Sequence, residues 1–157
     1  MPRPDSQRFA LEQHVFFWLT QAIGSRDRRL AQAMKAFGLR VPEWRVLASL
    51  HARRRCTMSE LADLATIDRT TLTRTVDRMQ KAGWVTRLDD ASDLRVTRLA
   101  HTASGERLFA RIWPTVQHLN ELAVAGLPSG AVDMLRWTLE RMKTNLDQGP
   151  AADERAA

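Results

Sequence analysis

Apolar residues recur through the first quarter of the chain with a helical period. Phe9, Phe16, Ile23, Leu30 and Phe37 fall every seven residues, and Leu19 and Met34 fill the same stripe. A second stripe runs through Leu11, Val15, Trp18 and Ala22. On a helix of about 3.6 residues per turn these are two faces, so the N-terminal half must be covered twice. A surface helix of a monomer needs one such face. The second is a first sign of a partner chain; a central helix in a monomeric bundle is the plain alternative. Gly38 is placed to end this helix in the left-handed conformation that glycine adopts without strain.

Pro42 suits a first helical turn. Trp44, Val46, Leu47 and Leu50 then give a short amphipathic helix to about Ala52, followed by the basic run Arg53–Arg55. The most patterned stretch comes next, from Thr57 to Leu99. Thr57 and Glu60 form the T-x-x-E of a capping box, and the helix they start is expected to bury Leu61, Leu64 and Ala65. Asp68 caps the following helix. Only Thr66 and Ile67 lie between the two, which is the spacing of a helix-turn-helix. In the second helix Leu72, Val76 and Met79 make the buried face, and Gly83 closes it. Trp84–Leu88 and Arg95–Leu99 read as strands around the turn signal Asp89–Leu94. Such a hairpin is marginal alone and must lean on the helices as a wing. Thr102 or Ser104 caps a long helix from about Ala103 to Gly126, with a stripe through Leu108, Ile112, Val116, Leu119 and Leu122; Pro114 should kink it. Pro128 and Ser129 open a last helix, striped by Val132, Leu135, Leu139, Met142 and Leu146.

Composition narrows the function. With 157 residues and 44% apolar content the chain is expected to form one compact unit. A net charge of +6 points to a polyanionic partner. A single cysteine, Cys56, excludes an internal disulfide and fits a reducing compartment. No apolar run approaches the roughly 18 residues of a membrane helix, and Met1–Gln7 lacks the apolar core of a signal peptide, so a cytoplasmic location with no membrane partner is expected. His14, His51, His101 and His118 have no metal-ligand spacing. There is no glycine-rich phosphate loop and no Ser–His–Asp pattern in a suitable context. Neither an enzyme nor a cofactor is expected.

The outward face of the second helix of the helix-turn-helix carries Arg69, Thr70, Thr71, Thr73, Arg74, Thr75, Asp77, Arg78 and Lys81. Three Arg and four Thr fall among the ten residues Arg69–Arg78. Threonine is a poor helix former, so water alone would favour Glu, Lys or Ala there. DNA supplies the reason. Arginine matches guanine edges in the major groove, and threonine donates to phosphates or touches a thymine methyl. In the wing, Arg87, Arg95 and Arg98 flank an acidic turn. Asp93 stands two residues before Arg95 and can pin its guanidinium, which suits a narrow minor groove. An Asp-rich turn chosen for turn chemistry alone is the plain alternative.

The order of these elements resembles the MarR family of bacterial transcription regulators. The motifs that carry the resemblance are W-R-V-L (Trp44–Leu47), S-E-L-A (Ser59–Ala62), D-R-T-T-L-T-R-T-V-D-R-M (Asp68–Met79), K-A-G-W-V-x-R (Lys81–Arg87), D-x-R (Asp93–Arg95) and T-x-x-G (Thr102–Gly105), spread over about residues 10–145. Three departures stand out: Leu94 replaces the first of two wing-tip arginines, His101 stands where leucine usually precedes the threonine of T-x-x-G, and Val41 stands where Ser or Thr often caps the Trp44 helix. The resemblance implies a mainly α fold: a winged helix-turn-helix over 42–100, dimerisation helices over 9–37 and 103–147, and one small β-hairpin wing; the tail at 149–157, small and polar, is expected to be flexible. It implies a homodimer on a pseudo-palindromic double-stranded operator, acting as a repressor released by a small aromatic or anionic ligand. The expected DNA-binding residues are Thr57, Ser59, Arg69, Thr70, Thr71, Thr73, Arg74, Arg78, Arg87, Asp93, Arg95 and Arg98. The implied effector pocket would be lined by His14, Phe17, Trp18, Gln21, Trp44, Leu47, His51, Phe109 and Trp113. Five Trp and no Tyr is unusual, and an aromatic wall beside a His or Arg suits an aromatic acid or its conjugate; packing in the core is the plain alternative for these aromatics. Two other readings remain open. Cys56, behind three arginines that would favour a thiolate, could sense oxidants. A winged-helix protein–protein adaptor is the second.

Overall fold

The computed structural model describes residues 10–89 and 97–149. A 3-10 turn at Leu11–Gln13 leads into α1 (Val15–Lys35), α2 (Val41–Arg53), β1 (Arg55–Thr57), α3 (Met58–Ala65), α4 (Arg69–Lys81), β2 (Val85–Asp89), β3 (Thr97–His101), α5 (Ala103–Val124) and α6 (Ala131–Gln148). The fold is mainly helical with a small antiparallel sheet, as the hydrophobic pattern requires. The chain divides into one unit ending at Leu119 and a second beginning at Asn120.

The core of the first unit is built from the expected stripes. Leu30 and Met34 of α1, Trp44, Val46, Leu47 and Leu50 of α2, and Leu61 of α3 meet Leu72, Val76 and Met79 of α4. Leu99 of β3 and Phe109, Ile112 and Val116 of α5 complete it. Local chemistry sets the boundaries. Thr57 Oγ1 accepts the Glu60 N–H at 3.2 Å while the Glu60 carboxylate accepts the Thr57 N–H at 2.7 Å, the reciprocal capping box that starts α3. Asp68 Oδ1 accepts the Thr71 N–H at 2.9 Å and starts α4. Thr66, at φ +52°, stops α3 as the Ile67 N–H turns back to the Ala62 carbonyl at 3.1 Å. Gly83, at φ +72°, stops α4 in the same way, with the Trp84 N–H on the Met79 carbonyl at 2.9 Å. Where serine or threonine was missing ahead of Trp44, Glu43 takes over: its Oε2 accepts the Arg40 N–H at 2.7 Å.

Four features differ from the sequence reading. Helix α1 begins at Val15, not near Phe9, which lies outside the described residues; Phe16 and Ile23 are exposed, and only Leu30 and Met34 of α1 are buried. Leu64, expected in the core, is 44% exposed. The end of the basic run forms a third strand. β1 pairs with β3 in the register Cys56↔Leu99, and β2 pairs with β3 in the register Arg87↔Leu99, giving the order β1-β3-β2. The wing is therefore not a lone hairpin, because its second strand is hydrogen-bonded on both sides. Finally, the first wing strand is Val85–Asp89, one residue later than the expected Trp84–Leu88.

The T-x-x-G motif has a packing reason. Thr102 Oγ1 accepts the Gly105 N–H at 3.0 Å and donates to the Gly83 carbonyl at 2.6 Å, while the Thr102 N–H donates to the Trp84 carbonyl at 3.1 Å. One residue thus caps α5 and ties it to the end of α4. In the second unit, no residue of α6 is buried in the single chain, although its stripe is apolar; Leu135 is 46% exposed. Among the described residues no helix is long and apolar enough to cross a membrane.

Candidate nucleic-acid interface

Helix α4 buries Leu72, Val76 and Met79 as the spacing predicts, and also Thr75, which the sequence reading placed outward. Thr75 Oγ1 donates to the Thr71 carbonyl at 2.8 Å, and Thr73 Oγ1 to the Arg69 carbonyl at 2.9 Å. These bonds back along the helix let threonine sit mid-helix with its proton satisfied. The face opposite the core then carries Thr70, Arg74, Asp77 and Lys81, at i, i+4, i+7 and i+11. The side chains of Thr70 and Arg74 are exposed and make no hydrogen bond or ion pair with other described residues.

The other expected DNA-binding residues fall into three groups. Some hold the motif together. Thr57 is occupied as the cap of α3, and Arg69 Nη2 donates to Ser59 Oγ at 3.3 Å, linking the two helices. Arg78 Nε lies 3.0 Å from Glu43 Oε1, Arg87 Nη2 lies 3.2 Å from Asp77 Oδ1, and Arg98 Nη1 lies 3.7 Å from Glu60 Oε2. Others are exposed on α4, namely Thr71 and Thr73. Asp93 and Arg95 lie outside the described residues. The Asp77–Arg87 pair is informative, because a carboxylate on the outward stripe would repel DNA unless neutralised. Hydrogen bonds from the Thr71 side chain and backbone hold the Asp68 carboxyl below the usual range, so it caps α4 as an anion.

The expected effector residues are divided. Trp44 stacks on Phe109 (ring centroids 5.4 Å apart), Phe109 on His51 (3.8 Å), and Phe109 on Trp113 (5.9 Å). Leu47 is buried, and its carbonyl meets His101 Nε2 at 2.9 Å. Near the start of α1, Phe17 and Trp18 pair edge-on with each other at 5.1 Å, and Trp18 Nε1 donates to the Glu12 carbonyl; His14 and Gln21 are exposed on the same stretch. Sequence reasoning missed His101, Arg54 and Glu106, which with Leu50 and His51 line a cavity of about 370 Å³. The signal for His101 was its departure from the usual leucine. Burial pushes its imidazole below the ordinary value.

The structure turns against the thiolate reading of Cys56. The side chain is 1% exposed, and burial, followed by the Glu60 charge, pushes the thiol up despite Arg53 and Arg98. The arginines of the basic run do not offset the loss of water.

Known proteins place this geometry. The MarR family model matches residues 39–97. The transcriptional repressor IacR of Pseudomonas putida is 30% identical over 92% of this chain and 86% of its own length. A MarR-family transcriptional regulator from Silicibacter pomeroyi has a crystal structure similar at TM-score 0.79, with 26% identity over 92% of this chain and 95% of that one. A mutant MarR from Escherichia coli, solved in complex with operator DNA, is similar at TM-score 0.69 with 25% identity, covering 80% of this chain and 90% of the other.

Proposed function

The chain belongs to the MarR family of DNA-binding transcriptional regulators, and on that premise we propose that it is a homodimeric repressor of a pseudo-palindromic operator, released by a small aromatic acid or its conjugate. The observation that carries the DNA half is the outward stripe of α4, where Thr70 and Arg74 stand exposed, their side chains without a hydrogen bond or ion pair among the described residues. Arg74 reads a guanine edge and Thr70 a neighbouring base or phosphate. Arg95, outside the described residues, takes the minor groove. Dimerisation is supported by α6, an apolar-striped helix with no buried residue. Two recognition helices would then lie about 34 Å apart, one turn of DNA. Repression is favoured over activation by the similarity to a repressor. The effector reading is supported by the Trp44–Phe109–Trp113 stack and by the cavity beside His51.

Selection of bound sequences from a random duplex pool, followed by titration of the winner, tests this. Arg74→Ala should cost about 1–3 kcal/mol on the selected site and relax preference at one base pair per half-site. Preference unchanged in Arg74→Ala would refute the base-reading role. A thermal-shift screen of aromatic acids should find compounds that stabilise the protein and weaken its hold on that site.

A further inference from the structure

We propose that Arg40 and Arg78 form a seat for one backbone phosphate of DNA, and that Glu43 is the positioning residue that holds Arg78 in it. The proposal rests on the chain binding DNA through α4.

Glu43 is a charged side chain buried to 2% exposure. A buried carboxylate is costly unless its oxygens are satisfied. Both are: Oε2 accepts the Arg40 backbone N–H at 2.7 Å, and Oε1 faces Arg78 Nε at 3.0 Å. Stability is a weak reason for such a pair, since apolar replacements often serve as well. What the pair supplies is orientation. It grips Arg78 by Nε, and the side chain remains 44% exposed. An arginine held through Nε still has the donors of Nη1 and Nη2 to offer a ligand.

Arg78 lines a cavity of about 250 Å³ between the start of α2 and the flank of α4. Arg40, Arg74 and Arg78 line it together with Thr71 and Glu43. Three guanidiniums against one carboxylate leave an excess of positive charge in a concave, open site. A tetrahedral oxyanion is the ligand this suits, because guanidinium binds phosphate oxygens in a two-pronged geometry. The position selects the source. The cavity flanks the stripe of Thr70 and Arg74, so a duplex lying on that stripe carries a backbone past it. Phosphate contacts of this kind set the register in which neighbouring side chains read bases. Arg40 carries no signal in the sequence, since it precedes the helix-turn-helix and only folding brings it to α4.

Binding of the full chain to duplex DNA of mixed sequence, followed by fluorescence anisotropy over a salt series, tests the seat. Each phosphate contact contributes about 0.9 to the slope of log affinity against log salt. Arg40→Ala and Arg78→Ala should each lower the slope by about that amount. Arg40→Ala leaves the buried pair intact, because Glu43 is bound to the Arg40 backbone. Glu43→Gln keeps the shape and removes the charge that orients Arg78. It should weaken binding by about tenfold with Arg78 present and not at all in an Arg78→Ala background, the coupling expected of a positioning residue. Unchanged slopes in both arginine variants would overturn the seat. An equal penalty for Glu43→Gln with and without Arg78 would overturn the positioning role. A wild-type chain without salt-dependent binding would overturn the DNA-binding reading, and the seat with it. Inorganic phosphate at matched ionic strength should compete no better than sulfate; specific competition would move the site from DNA to a free anion and overturn the assignment.

Discussion

Gly105→Ala sets helix propensity against packing, and the structure decides the sign. In an ordinary helix this exchange gains about 1 kcal/mol. Gly105 lies in the first turn of α5, where an added Cβ would stand 2.0 Å from the Trp84 carbonyl oxygen and 3.0 Å from its carbon. These are backbone atoms and cannot swing aside. The turn must retreat by about 1 Å, which pulls Thr102 away from the carbonyls of Trp84 and Gly83, now at 3.1 and 2.6 Å. Those two hydrogen bonds contribute about 1 kcal/mol each, and overpacking costs about 1–3 kcal/mol. After the propensity gain, a net loss of about 2–4 kcal/mol is expected. For a chain of this size that corresponds to a Tm lower by roughly 5–15 °C. Urea unfolding followed by far-UV circular dichroism, at one fixed protein concentration, measures it. Gly24→Ala provides the control: its Cβ would meet Arg28 Nη1 at 3.6 Å, an ordinary contact, so it should gain up to about 1 kcal/mol. A Gly105→Ala midpoint at or above wild type would refute the reasoning.

Two further outcomes follow from other parts of the molecule. His101 is held below its ordinary pKa by burial, which outweighs the Leu47 carbonyl and Glu106. The fold therefore favours the neutral ring, and stability is complete above the unfolded value of about 6.5 and declines as pH falls through it. His101→Leu should flatten that decline in Tm measured from pH 8 to 5, and a pH-independent offset between the two proteins would count against it. Leu135→Glu and Leu139→Glu charge the exposed stripe of α6, and light scattering should shift from twice the 17.9 kDa chain mass to the single mass; a monomeric wild type at micromolar concentration would remove the basis for dimerisation.

The helix-turn-helix was legible because its signals are local. Thr57 with Glu60, and Asp68 with Thr71, are partners three residues apart, so the caps can be read before any tertiary contact exists. The same holds for Leu72, Val76 and Met79. Strand β1 was hidden because three residues are too short a run for their polar–apolar–polar alternation to be told from chance; its partner is the edge that β3 offers. Leu64 was misread because an eight-residue helix buries a narrow stripe, and Leu61, Ala62 and Ala65 already fill it. In the candidate site the sequence supplied the guanidiniums but not their duties. Arg69, Arg78, Arg87 and Arg98 looked equivalent to Arg74, and their partners on other elements set them apart.

The sequence alone determined where α3 and α4 start and stop, which faces are apolar, and which helix carries the arginine and threonine stripe, because caps and periodicity act within one or two turns. Only the tertiary structure decided that Glu43 grips Arg78, that Cys56 is buried where β1 pairs with β3, and that His101 reaches the Leu47 carbonyl across 54 residues. Those contacts join residues far apart in the chain, and their energies depend on burial, which no local pattern specifies.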